Sequence, residues 1–200
     1  MNISSSRRSV AQKGMVLVSS LLLLIVVTLI ALSMFRSFGV QEKIAGNMRE
    51  KQRAVQAAET AEIFAENWLL NNAAGTAAGT CSTTITVTST NTTQVPICSN
   101  ALPLVPGIDV TSVPWFIGGA QVGVNYSPLG LTVGTSAPNT ASNPTYYGPP
   151  TFYISDMGTS ADASYPGEVY QVDSYGYGGS QTTVAEVEST YVVYTTSHQL

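Results

Sequence analysis

Residues 54–200 contain no lysine and no arginine, although they hold ten of the twelve acids. Ten acids against no base give this region a net charge of −10. Such a region cannot neutralise phosphates, so nucleic acid is excluded as its partner. Proline is absent before Pro96, and between Met15 and Ala74 the only glycines are Gly39 and Gly46. Nothing in that stretch interrupts a long helix. Charge is scarce throughout, at 10% of residues, against roughly 25% in an ordinary soluble domain. Histidine occurs once, as His198, and cysteine twice, as Cys81 and Cys98, without CxxC spacing. A zinc-type cluster and His-based catalysis are therefore not expected, and no cofactor is implied. Asp156 and Asp162 flank MGTSA in what reads as a solvated loop, but the spacing is not that of an EF-hand. The Gly178-Gly179 turn is too short to cradle phosphate.

All eight bases lie at or before Arg53, with two acids among them, so the first 53 residues carry +6. Arg7, Arg8 and Lys13 precede an uncharged run from Met15 to Phe35, 21 residues of which fourteen are Val, Leu, Ile or Phe. That run is long enough to cross the ~30 Å hydrocarbon core as a helix. Its apolar residues favour insertion by roughly 4 to 8 kcal/mol. A secretory signal cut after Ala31-Leu32-Ser33 is the alternative, but the apolar stretch is longer than the usual ~7–15 residues. Two cysteines in a Ser/Thr-rich acidic region suit an oxidising compartment, where Cys81 and Cys98 are expected to be joined. The N-terminus is accordingly placed in the cytoplasm and everything after Arg36 outside.

Helical pattern continues beyond the apolar run. Ala54, Ala57, Ala61, Phe64 and Trp68 recur at spacings of 3 and 4, one stripe expected to pack on the protein's own sheet. Glu59, Glu62 and Glu66 form a neighbouring acidic ridge. After Asn72 the composition changes: 14 of the 17 glycines and all ten prolines follow. TTITVTST, AQVGVNYS and FYIS read as short strands, with loops over 102–116 and 127–150. EVYQVDSY (168–175) and TTVAEVESTYVVY (182–194) read as a hairpin around Gly176–Ser180, with Ala185, Val187, Tyr191 and Val193 on one face. The expected fold is α+β: a long N-terminal helix, transmembrane over 15–35 and amphipathic over 36–72, packed on an antiparallel β-rich domain at 73–200.

Gln12-Lys13-Gly14-Met15, followed by the apolar helix, resembles a prepilin leader, in which a short basic segment ends in Gly. QEKIAGNMREKQRAVQAAETAE (41–62) resembles the N-terminal signature of the PilX family of type IV pilus minor pilins, and the C-terminal hairpin resembles the end of that family. The resemblance implies a pilin-like fold, a leader at 1–14 and cleavage between Gly14 and Met15 by a prepilin peptidase. It also implies a structural role without catalysis: a minor pilin that primes type IV pilus assembly at or near the filament tip. Its partners would be inner-membrane lipid, the major pilin and other minor pilins. It would begin in the inner membrane of a Gram-negative cell and end in a surface pilus serving adhesion and twitching motility. Ser19 stands where most pilins have Glu, five residues into the mature chain. Alternatives are a type II secretion pseudopilin and a single-pass surface adhesin.

Overall fold

The computed structural model describes residues 12–73, 76–88, 95–131, 133–134, 145–161 and 166–194. Among these residues one α-helix, α1 (Gln12–Asn72), is followed by a short 3-10 helix (Leu102–Leu104) and seven strands: β1 (Thr84–Thr88), β2 (Phe116–Ile117), β3 (Ala120–Gln121), β4 (Gly123–Ser127), β5 (Thr151–Thr159), β6 (Gly167–Tyr177) and β7 (Val184–Tyr194). The helix begins at Gln12, ahead of the expected Met15. The chain divides into two compact units, Met1–Asn47 and Met48–Leu200, and α1 contributes to both.

In the second unit a five-stranded sheet has the order β1-β4-β5-β6-β7, with β2 and β3 pairing separately. An antiparallel sheet was expected, and three of its four pairings are antiparallel; β1 and β4 run parallel, with Val87 opposite Tyr126. A parallel pair needs a long crossover. The chain between Thr88 and Gly123 is long enough to supply it, and its part from Leu102 to Val122 packs over one face of the sheet.

That crossover explains the two cores. Facing α1, Val124, Phe152, Ile154 and Val172 pack with Ala61, Ala65, Trp68 and Leu69. On the far face Trp115, Val122, Tyr153 and Tyr175 pack under the crossover with Leu102 and the two cysteines. Trp115 meets Tyr175 edge-on at 4.8 Å, and its indole N–H donates to the Val110 carbonyl at 2.7 Å. The tyrosine-rich C-terminal third thus fills the sheet's interior faces, where aromatic pairs add to area burial.

Cys81 and Cys98 are disulfide-bonded, with Cα atoms 5.3 Å apart. Asn100 clamps the same point, accepting from the Cys81 amide at 2.8 Å and donating to its carbonyl at 2.9 Å. Cys98 in turn extends the sheet beside β5: its amide donates to Ile154 and its carbonyl accepts from Asp156. Asp156, expected in a loop, is therefore a strand residue. Its carboxylate accepts the Gly158 amide at 2.8 Å across a bulge, where Gly158 takes φ +86°. Asp162 and His198 lie outside the described residues.

Candidate assembly interface

Two parts of α1 have different surroundings, one in each compact unit. From Met15 to Phe35 nearly every large apolar side chain is exposed, from 45% at Ile25 to 78% at Met15. Three of the four hydroxyl side chains in this run bond back to their own helix. The Ser19 hydroxyl donates to the Val16 carbonyl at 3.0 Å, Ser20 to Leu17 at 2.9 Å and Thr28 to Ile25 at 2.8 Å. Backbone groups and these three hydroxyls are thus satisfied inside the helix, as a dry, apolar environment requires. The segment is long and apolar enough to cross a membrane. Gly14 and Met15 both fall inside α1, while residues 1–11 lie outside the described residues.

From Met48 onward α1 lies on the sheet. Ala54, Ala57, Ala61 and Trp68, expected on the packing face, are buried. Phe64 flanks that face, half-buried, stacked on Tyr126 with ring centroids 4.1 Å apart. The buried stripe is wider than the spacing suggested, taking in Ala58, Ala65 and Leu69. Small residues dominate because the helix approaches the sheet closely at Gly176. A Cβ there would lie 2.5 Å from the Ala58 nitrogen, 2.6 Å from the Ala57 Cβ and 2.7 Å from the Ala54 carbonyl oxygen. Gly176 is therefore a strand residue, not part of the turn, and β6 runs on to Tyr177.

Polar ties surround this contact. Glu50 accepts the Gly179 amide at 2.6 Å and the Arg53 guanidinium at 2.8 Å. Burial raises the Glu50 pKa, but that amide bond, Arg53 and Arg49 together outweigh it and hold the group below its usual range. Arg53 also donates to the Thr145 carbonyl at 2.8 Å and lies over the Tyr146 ring at 4.6 Å. The Lys51 ammonium donates to the Val184 carbonyl. At the other end Ser189 donates to Glu66 at 2.7 Å. Glu50, Lys51 and Arg53 thus anchor the hairpin turn and its neighbours to the helix.

Residues 13–61 match the family model described as PilX N-terminal. Over that segment, about a quarter of the chain, the protein is similar to PilX-type pilins. No curated protein and no solved structure matches the chain. The PilX match spans the apolar run and the alanine-rich start of the packing face, Ala54 to Ala61. The family so matched is one of type IV pilus proteins with a structural role. Among the described residues no group of three or more His, Cys, Asp or Glu side chains is arranged to hold a metal ion.

Sequence spacing identified the packing stripe but missed Gly176 as its counterpart. A glycine in a Gly-Tyr-Gly-Gly run reads as turn. The signal that distinguishes it is alternation: counting by two from Tyr170 and Val172 carries the helix-facing side of β6 through Ser174 to Gly176.

Proposed function

We propose that this protein is a minor pilin that primes type IV pilus assembly at or near the filament tip. The observation that carries the reading is the PilX N-terminal match, lying on a helix whose first part exposes an uninterrupted apolar surface. In this reading a prepilin peptidase cuts between Gly14 and Met15. The helix from Met15 to Phe35 sits in the inner membrane with its N-terminus cytoplasmic, then moves against the helices of the major pilin and other minor pilins. Residues 73–200 are exported with it, and the Cys81–Cys98 bond suits that compartment.

Ser19 supports placement at the tip. Its hydroxyl is already bonded to the Val16 carbonyl, so this position offers no charge to a neighbouring subunit's terminal amine. A subunit that starts the filament has no preceding amine to neutralise, and a carboxylate there would be buried without a partner, which is costly. The test is deletion of the gene with surface pili counted, then the same count with pilus retraction disabled. Priming predicts few or no pili in the first strain and restored pili in the second. Normal piliation in the first strain would refute the role in assembly.

A further inference from the structure

The far face of the β6–β7 hairpin carries an arrangement that pilus assembly does not use. Asp173 is completely buried, and its Oδ2 has no hydrogen-bond partner; the Oε1 of half-buried Glu186 is also buried and without one. The register puts Asp173 opposite Glu188 and Tyr175 opposite Glu186, so all three acids share one face of two adjacent strands. Like charges at such positions destabilise a sheet. Among the described residues no base relieves them. Arg49, Lys51 and Arg53 are on α1, which packs against the opposite face, and no lysine or arginine follows Arg53.

The groups facing the pair can be named element by element. From β6, the Gln171 amide donates to Asp173 Oδ1 at 3.0 Å, leaving Oδ2 bare. From β5, Tyr153 turns its hydroxyl away, donating to the Asn100 carbonyl at 2.8 Å. Tyr175, also on β6, takes its hydroxyl bond from Gln121. From β7 comes Glu188, and from the crossover comes Asp109, whose Oδ1 is held by the Thr111 amide and hydroxyl. Every charged neighbour is an acid.

Two buried carboxyls with bare oxygens and no cation nearby can be accommodated by a metal ion or by protons. Although Glu188 and Asp109 are near, among the described residues no three acids are arranged to hold a metal ion, so the proton is favoured. We propose that Asp173 and Glu186 form a proton-binding pair that keeps crossover residues 105–116 packed on the sheet in acid and loosens them in base. Burial pushes Asp173 up to about 6, with Glu188 adding to the rise and Gln171 opposing it. Burial, then Asp173, Asp109 and Glu188, pushes Glu186 up to about 7. Because both folded values lie above the ordinary 3.8 and 4.5, the folded chain binds more protons than the unfolded one between pH 4 and 7. Stability from the pair is therefore complete below pH 4 and lost as pH rises through 6 to 7.

The test uses the full chain in detergent micelles. The thermal midpoint should fall by about 10 °C between pH 5 and pH 8. Asp173→Asn and Glu186→Gln should each remove a large part of that fall. Infrared spectra of the folded wild-type protein supply a readout that does not depend on variants folding: a protonated-carboxyl band present at pH 5 should vanish with a midpoint between 6 and 7. A flat wild-type midpoint, an unchanged slope in both variants, or absence of the band overturns the proposal. So does a millimolar calcium effect at pH 8 that equals acidification, since the pair would then hold a metal instead.

Discussion

Gly176→Ala tests whether helix and sheet meet as closely as the structure shows. An ordinary van der Waals contact for the new Cβ begins at 3.4 Å, and the three nearest atoms lie at 2.5, 2.6 and 2.7 Å. The shortfalls are 0.9, 0.8 and 0.7 Å. Two of the three obstacles are helix backbone, the Ala58 nitrogen and the Ala54 oxygen, so no rotamer change relieves them. Overpacking of this kind costs about 1–3 kcal/mol, and rigid obstacles favour the upper end. Replacing glycine also removes freedom from the unfolded chain, a gain of about 0.4–1 kcal/mol. The net loss is then about 2 kcal/mol, or a fall of roughly 4–8 °C in the midpoint for a unit of this size. Loss of near-UV circular dichroism on heating the full chain in micelles measures it. Gly79→Ala is the control, because a Cβ there meets nothing within 4 Å and φ is not positive. Adding Ala57→Gly to Gly176→Ala removes one obstacle of three and should restore less than half of the loss. If Gly176→Ala melts within 1 °C of Gly79→Ala, the close approach does not exist.

Two further outcomes are expected. Intact-mass measurement of the protein from a cell carrying a prepilin peptidase should show a chain beginning at Met15, and replacing Gly14 with a bulky residue should leave the precursor uncut; a native start at Met1 refutes the processing site. Thiol labelling of unfolded, unreduced protein should tag neither Cys81 nor Cys98, and reduction should lower stability by about 3 kcal/mol in the chain-entropy account; two tagged cysteines would refute the bond.

The helix was legible because its signals are local. Absence of proline and a 3-and-4 spacing of Ala54, Ala57, Ala61, Phe64 and Trp68 need no knowledge of what lies opposite. The β6–β7 hairpin was legible for the same reason, its strands being adjacent in sequence. The parallel β1–β4 pair was not, because register between segments some 35 residues apart depends on how the crossover packs, and Thr-rich TITVT suits either direction. Asp156 misled because an aspartate near Gly158 looks like a turn, whereas a bulge places both within one strand. Asp173 and Glu186 escaped notice for a different reason. Alternation marks Glu186 as outward-facing, and only the crossover folding back over that face makes outward mean buried.

The hydroxyls of Ser19, Ser20 and Thr28 fold back onto their own helix, and on the reading proposed above this bears on where the work of polymerisation is done. A helix that asks nothing of its surroundings partitions between lipid and a bed of similar helices as a solute does between two oils. Hydrocarbon tails are as apolar as leucine, so the transfer carries little hydrophobic free energy in either direction. On the reading proposed above, the direction of travel is then not written into this segment. It must be set by fit between helix surfaces, by contacts among the exported domains and by the energy source that moves subunits. On that reading the same near-neutrality makes the step reversible: a subunit drawn into a filament would return to the bilayer without breaking an internal hydrogen bond.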